Sequence, residues 1–146
     1  MTVNDYEAIR ALKSRYFRLM DTKDWAGFRD LFSDDVVIDV SGSGGEVITG
    51  ADEFLAFLTP RIGDAITIHH GHTPEIELLS DTEATGIWAM EDRLIWPDGT
   101  RLHGFGHYHE TYAKFDGHWR IRSQRLTRLH MDFAPAQQNP PGAGAE

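Results

Sequence analysis

Four long runs of strand-forming residues, joined by short turns, fill most of the second half of the chain. They cover residues 66–79, 83–96, 100–115 and 118–130. The connecting sequences SDT, PDG and DG are typical of turns between neighbouring antiparallel strands. Gly86, Gly104 and Gly106 lie inside these runs, where glycine suits a bend or a bulge. The sequence therefore predicts one long, strongly curved antiparallel meander.

The first half of the chain carries helical patterns. Apolar residues recur at three- and four-residue steps within residues 5–20, and Asn4 with Glu7 forms a capping pair in front of them. Two further helices and a strand are predicted over 25–32, 52–61 and 36–40. Helices followed by a sheet indicate an α+β fold. We expect a cone-shaped barrel, in which N-terminal helices pack on a strongly curved mixed or antiparallel sheet around an interior pocket.

Composition and charge limit what this fold can do. A single domain is predicted over residues 1–133, and the Pro/Gly/Ala-rich residues 134–146 are predicted to be a disordered tail. The net charge of −9 argues against nucleic-acid and anionic-membrane partners, because both need clustered Lys and Arg. The absence of cysteine excludes disulfides, thiolate catalysis and Cys-based metal sites. No apolar signal core or membrane-spanning stretch is evident, which favours a cytoplasmic protein.

One carboxylate falls on an apolar strand face. Strand alternation in residues 83–96 places Asp92 on the same side as Trp88 and Met90. A carboxylate there needs a partner or a wet cavity. Either an arginine of the last strand, where Arg120, Arg122 and Arg128 share one parity, neutralises Asp92 in a structural ion pair, or Asp92 is an acid whose proton affinity an apolar pocket tunes.

Histidines are concentrated on two predicted strands. The histidines of ITIHHGHTPEI and of GHYHE are His69, His70, His72, His107 and His109. Two histidines at alternate strand positions face one side, as a metal site requires, but Glu110 has the opposite parity to its histidine neighbours. We therefore predict no metal site and expect exposed or interfacial histidines on the second strand. A histidine near Asp92 is instead suited to act as a base, because neutral imidazole accepts a proton.

Several blocks of the chain are similar, in order, to a known family. They are RYFRLMDTKDW at 15–25, ITIHHGHTPEI at 66–76, ATGIWAMEDRL at 84–94 and DGHWRI at 116–121, with Arg128 beyond it. Together they resemble the SnoaL-like branch of the nuclear transport factor two superfamily, and within it the bile acid 7-alpha-dehydratases. The resemblance implies a deep apolar pocket and acid–base chemistry that needs no cofactor.

The resemblance also implies which side chains carry the chemistry. The five matching positions are Tyr16, Asp21, His69, Asp92 and Arg128. Simple alternation groups His70, not His69, with Ile66 and Ile68. If Ile66 and Ile68 face the interior, His70 is the base; if they cover an outer surface, His69 is. We follow the family match and keep His70 as the alternative.

The implied reaction is a dehydration of a hydrophobic cyclic, steroid-like or aromatic hydroxylated molecule. His69, oriented by Asp92, would remove a proton, and Tyr16 would stabilise the developing oxyanion or the leaving hydroxyl. Asp21 would orient Tyr16, and Arg128 would hold Asp92. Pocket-lining positions are predicted at His70, Trp88, Met90 and Tyr108.

Other uses of the same site stay open at this level. The base and the oxyanion donor would equally serve an isomerisation, a cyclisation, or a retro-aldol loss of formaldehyde from a lignin-derived aromatic molecule. A non-catalytic ligand-binding or assembly module and a metal-dependent enzyme are the alternatives of a different class. A homo-oligomer, dimer or trimer, is predicted because one helical layer leaves the outer face of the sheet partly apolar.

Overall fold

The computed structural model describes residues 4–136. The helices are α1 (Asp5–Asp21), α2 (Trp25–Arg29) and α3 (Ala51–Ile62). The strands are β1 (Phe32–Asp39), β2 (Val47–Thr49), β3 (Ile66–Leu78), β4 (Glu83–Ile95), β5 (Arg101–Phe115) and β6 (His118–Ala134). A short 3-10 helix, Ser41–Ser43, joins β1 to β2.

The six strands form one mixed sheet in the order β2-β1-β6-β5-β4-β3. Strands β3 to β6 make the predicted antiparallel meander. Strand β1 lies parallel to β6, and the short edge strand β2 pairs with β1. The pairing of β1 with β6 was not predicted, because it joins distant segments that no turn connects. The predicted α+β cone, with helices packed against a mixed sheet, is confirmed.

Helix boundaries follow local signals with one exception, helix α2. The side chain of Asn4 accepts a hydrogen bond from the backbone N–H of Glu7, so α1 begins as predicted. Helix α2 is shorter than predicted, because Phe32 already belongs to β1 and pairs with β6. Helix α3, with Pro60 inside it, matches the predicted 52–61 to within one residue at each end. Ile62 in its last turn is buried and lines the interior pocket.

The sheet has a buried inner face and a more exposed outer face. Along β4, Ala84, Trp88, Met90, Asp92 and Leu94 are buried and alternate with more exposed neighbours. The inner face packs against a core that includes residues of α1 and α3. The interior pocket therefore lies between these two helices and the sheet.

The surface keeps some large apolar side chains. The most exposed of them are Val47, Ile66, Leu79, Leu129 and Phe133. The homo-oligomer that such a surface suggests stays a prediction. Ala134 is the last residue of β6, and residues 137–146 of the predicted tail lie outside the described residues. Across residues 4–136, no helix has both the length and the apolar character that crossing a membrane would need.

Candidate active site

A cavity of about 310 Å³ opens between α1, α3 and the inner face of the sheet. Its apolar wall comes chiefly from Met20, Phe54, Phe57, Leu58, Ile62, Leu94, Trp96 and Leu126. Its polar side chains are Tyr16, Arg61, His69, Asp92, Tyr108, Gln124 and Arg128, with Ser43 at one side. An apolar wall with a few convergent polar groups is typical of a small-molecule site.

His69 and Asp21 form a hydrogen-bonded dyad at this cavity. Asp21 is the last residue of α1, and His69 lies in β3, where it is 8% exposed between the exposed Ile68 and His70. Nδ1 of His69 lies 2.7 Å from Oδ1 of Asp21, and the backbone N–H of His69 donates to Oδ2 at 2.8 Å. The hydroxyl of Thr67 also donates to Oδ1, at 2.9 Å.

These contacts determine the tautomer of the neutral His69 imidazole. An ionised carboxylate only accepts hydrogen bonds, so Nδ1 of His69 carries the hydrogen that lies towards Asp21. Nε2 of the neutral ring is then an acceptor, and His69 lines the cavity. The orientation of β3 also decides between the two histidines, since Ile66 and Ile68 are on the exposed side. His69, rather than His70, faces the interior.

The predicted partners of His69 and Tyr16 were wrong. Asp21, and not Asp92, holds the His69 ring, because α1 packs against β3 and its last carboxylate reaches that strand. Tyr16 lies more than a turn earlier on the helix, and its hydroxyl donates to Gln124 instead of being oriented by Asp21. The dyad therefore uses two of the predicted residues in a different pairing.

Asp92 and Arg128 form a closed ion pair beside the dyad. Nη1 and Nη2 of Arg128 donate to the two carboxylate oxygens of Asp92 at 2.8 and 2.9 Å, which is the bidentate geometry. Nε of Arg128 donates to Oγ of Ser43 at 2.8 Å. Asp92 is the register partner of His69 across β3 and β4, but the guanidinium occupies both of its oxygens. A Cβ atom at Gly104 would collide with this pair, so glycine makes room for it.

Tyr16 and Tyr108 place two phenols at the inner end of the cavity. The hydroxyl of Tyr16 donates to Oε1 of Gln124 at 3.2 Å, and Nε2 of Gln124 donates to Oε2 of Glu110 at 2.6 Å. The second bond determines which end of the amide faces Tyr16. Burial, together with the charge of Glu110, raises the pKa of Tyr16, and burial raises the pKa of Tyr108. Both phenols therefore remain protonated donors at neutral pH.

Behind the two phenols lies a buried ion pair that the sequence analysis missed. Nζ of Lys13 is 2.8 Å from Oε2 of Glu110, and neither side chain is exposed. The same Nζ lies 3.7 Å from the ring centroids of both Tyr16 and Tyr108. Burial lowers the pKa of Lys13 to about 8, although Glu110 acts in the opposite direction. The available signal was positional: Lys13 precedes Tyr16 by three residues on α1, and Glu110 shares strand parity with Tyr108.

Three of the four predicted pocket residues do not line the cavity. Tyr108 does line it, whereas His70 is exposed on the outer side of β3. Trp88 and Met90 are buried in the core; Nε1 of Trp88 donates to the hydroxyl of Tyr112 at 2.9 Å. Alternation correctly gave the face of β4, but it does not tell how far along the strand the cavity lies.

The histidines of β5 lie apart from the dyad. Nε2 of His109 is 3.2 Å from Oγ1 of Thr127, and Nε2 of His103 is 3.2 Å from a carboxylate oxygen of Glu91. Burial and the nearby Arg125 lower the pKa of His109. In the part of the chain that the structure covers, no group of three or more His, Asp and Glu side chains is placed to hold a metal ion.

Comparison with known proteins gives a consistent picture. Probable cyclase FGR4 of Gibberella zeae is 28% identical over 138 residues, which cover 84% of this chain and 89% of that protein. A candidate scytalone dehydratase from Novosphingobium aromaticivorans shares the fold with a TM-score of 0.79 at 22% identity, covering 97% of this chain and 95% of that one.

A second structural neighbour, the hexachlorocyclohexane dehydrochlorinase LinA-type3 of Novosphingobium barchaimii, has a TM-score of 0.75 at 19% identity, with 93% and 94% of the two chains covered. The profile of the SnoaL-like domain matches residues 1–125. That match covers most of the chain and agrees with the sequence blocks and with the fold. The chain therefore belongs to the SnoaL-like domain family.

Proposed function

We propose that this protein is a cofactor-independent lyase that eliminates water from a small, hydrophobic cyclic molecule, with His69 as the base. The observation that carries the proposal is the His69–Asp21 dyad at the wall of an apolar cavity. Asp21 holds the ring through Nδ1 and would stabilise the imidazolium that forms when Nε2 takes a proton. A buried base with an oriented free nitrogen is the element that such an elimination requires.

The proposed elimination returns the imidazole to its starting form. Nε2 of His69 removes a proton from the carbon next to a carbonyl group, and the electron pair moves into an enolate. The C–O bond to the hydroxyl on the neighbouring carbon then breaks as the carbonyl re-forms. The imidazolium gives its proton to the leaving hydroxyl, so that water departs and a double bond remains. Because one group serves as base and then as acid, no second titrating residue is needed.

The phenols would stabilise the enolate oxygen. At 3.2 Å, the hydrogen bond from Tyr16 to Gln124 is long for an O–H donor and an oxygen acceptor. A substrate oxygen at the inner end of the cavity would therefore compete for the hydroxyl of Tyr16, and Tyr108 lies beside it with ring centroids 5.7 Å apart. Donors placed where negative charge develops are among the largest contributors to catalysis. Arg128 would keep its place through Asp92 and Ser43.

Cavity size narrows the substrate class. About 310 Å³ is close to the lower end of ligand pockets and corresponds to roughly ten water volumes. A molecule of one or two rings fits this space better than a four-ring steroid. We therefore favour a mono- or bicyclic β-hydroxy ketone, or its aromatic counterpart, over the steroid-like alternative.

The experiment compares two neighbouring histidines. The purified protein is incubated with a panel of cyclic β-hydroxy ketones, scytalone included, and products are followed by mass for the loss of water. His69→Ala should reduce turnover by about 10²–10⁴-fold, the usual contribution of a general base. His70→Ala is the matched control, because His70 is exposed on the opposite side of the same strand. Equal activity of His69→Ala and the parent would reject His69 as the base.

Cyclisation is the second candidate, and the 28% identity to a probable cyclase supports it. The same base would generate an enolate that attacks a carbonyl group within the substrate. Ring closure of this kind leaves the mass unchanged, whereas dehydration removes one water. A linear polyketone that gives a product of the same mass at a new retention time would identify cyclisation, whereas a cyclic β-hydroxy ketone that loses one water would identify dehydration.

A further inference from the structure

The C-terminal end of α1 holds a lysine in a backbone conformation that lysine rarely adopts. Lys23 has φ +62°, in the left-handed region. Its N–H bonds the carbonyl of Met20 at 3.1 Å, and the N–H of Asp24 bonds the carbonyl of Leu19 at 2.9 Å. This is the Schellman arrangement with Lys23 at the position where glycine is usual. A residue kept there against its backbone preference points to a task for its side chain.

The side chain of Lys23 reaches the dyad through one intermediary. Its Nζ donates to Oγ1 of Thr67 at 2.7 Å, and the Thr67 hydroxyl donates to Oδ1 of Asp21 at 2.9 Å. An ammonium group has no acceptor, so the oxygen of Thr67 must accept from Lys23, and its hydrogen is left for Asp21. Thr67 is 4% exposed, which leaves little room for water to replace either bond. The ammonium of Lys23 therefore orients the Thr67 hydroxyl so that its hydrogen points to Asp21.

The charges of Lys23 and Asp21 attract each other, in addition to the hydrogen bonds that link them through Thr67. Partial burial lowers the pKa of Lys23, while the negative charge of Asp21 raises it. The attraction is mutual, so the ammonium also offsets part of the charge that Asp21 presents to His69. An imidazolium beside a partly offset carboxylate is less stabilised than one beside a carboxylate that has no cation near it.

The other charged or polar groups around His69 make their hydrogen bonds to partners other than Asp21. Asp92 of β4 and Arg128 of β6 neutralise each other through two hydrogen bonds. Tyr16 of α1 is a neutral donor, and Arg61 of α3 lies at the cavity wall, where its Nη1 donates to the carbonyl of Phe57. Lys23 is the cation joined by hydrogen bonds to the carboxylate that holds the base.

We propose that Lys23 is a positioning residue of the active site, which aims the Thr67 hydroxyl at Asp21 and sets how strongly Asp21 attracts a proton to His69. The inference rests on the proposed function, because it treats His69 as a base that must be neutral. The lysine works through Thr67 and Asp21 and touches no substrate.

Lys23→Gly separates the backbone role from the side-chain role. Glycine suits a left-handed φ, so the thermal midpoint of unfolding should stay level or rise. The NMR titration midpoint of the His69 ring in the free protein should move up by about half a pH unit, the effect of one charge removed across Thr67 and Asp21. Lys23→Arg keeps the donor and the charge and should restore the parent midpoint.

Two further variants complete the test. Thr67→Val removes the hydroxyl that links Lys23 to Asp21. Because Asp21 then loses a hydrogen-bond donor, the titration midpoint of His69 should also move upwards. Lys114→Met also removes one lysine, but Lys114 pairs with Asp5 at 2.9 Å, and we expect it to leave the midpoint unchanged.

An unchanged His69 midpoint in Lys23→Gly would overturn the inference, and so would a large fall in its thermal midpoint, which would make the lysine purely structural. Because the titration uses protein without substrate, it is independent of the turnover test. Full activity in His69→Ala would reject the proposed function, but the effect of Lys23 on the His69 titration could still be measured in the parent and the Lys23 variants.

Discussion

Removing Lys13 alone from the buried Lys13–Glu110 pair should cost more stability than removing both members of the pair. Lys13→Met leaves the carboxylate of Glu110 without its cation, although the hydroxyl of Tyr112 and Nε2 of Gln124 still donate to it at 2.7 and 2.6 Å. Glu110→Gln leaves the ammonium of Lys13 facing two phenol rings at 3.7 Å, with no carboxylate. Each single change therefore leaves a buried charge that the other had compensated.

Lys13→Met and Glu110→Gln should lower the free energy of unfolding by different amounts. Breaking a buried pair costs about 3–5 kcal/mol, and the two remaining donors on Glu110 place Lys13→Met near 3 kcal/mol. In Glu110→Gln the ammonium of Lys13 can lose its proton and become a neutral amine, because burial already lowers its pKa to about 8 in the parent. In the parent, the neutral amine at pH 7 lies only about 1.4 kcal/mol above the charged form, and losing the charge of Glu110 lowers the pKa of Lys13 further. The loss of stability in Glu110→Gln should therefore be limited to roughly 2 kcal/mol.

A double-mutant cycle measures the coupling directly. Urea unfolding at pH 7 gives the free energy of unfolding for the parent, both single variants and Lys13→Met/Glu110→Gln. The double variant buries no charge at this place, so we expect it to lose about 2 kcal/mol, with a coupling energy near 3 kcal/mol. Strictly additive losses, or single losses below about 0.5 kcal/mol, would refute the reasoning that both groups are charged and desolvated.

Two more predictions concern the same polar interior. Gly104→Ala places a methyl group against Nη1 of Arg128 and Oδ1 of Asp92, and should cost about 1–3 kcal/mol in urea unfolding; a variant as stable as the parent would contradict the close packing. Between about pH 8 and 9.5 the parent should gain up to ~1.4 kcal/mol of stability per pH unit through Lys13. Folded Lys13 releases its proton from about pH 8, whereas in the unfolded chain it does so near its usual 10.5, so stability rises with pH in this window and not below it. Lys13→Met should lack this slope, and equal slopes in the two proteins would argue against a buried ammonium.

Periodicity predicted the inner face of the sheet where the strands are regular. It placed Asp92 among buried apolar neighbours. The family resemblance selected Arg128 as the partner of Asp92, and the structure pairs them. The same alternation was insufficient along β6. The register with β5 shifts between Thr111 and Tyr112, so Arg120 and Arg128 have the same parity but different surroundings. A bulge breaks parity, and its position depends on the neighbouring strand.

Local pattern also could not distinguish the interior side of β3. Alternation shows that His69 and His70 face opposite ways, but it does not say which way is inward. The apolar residues Ile66 and Ile68 suggested His70, and they are exposed. The matching family blocks, rather than the period, favoured the residue that the structure turns inward.

The sequence by itself determined the helices, the meander, the α+β class and the residue types available for acid–base chemistry, because caps, turns and periodicity act over a few residues. Tertiary structure alone decided that Asp21 meets His69 and that Lys13 meets Glu110, pairs that are 48 and 97 residues apart in the chain. These contacts depend on how α1 lies across the curved sheet, which is a property of the whole packed core and is not encoded in any local period.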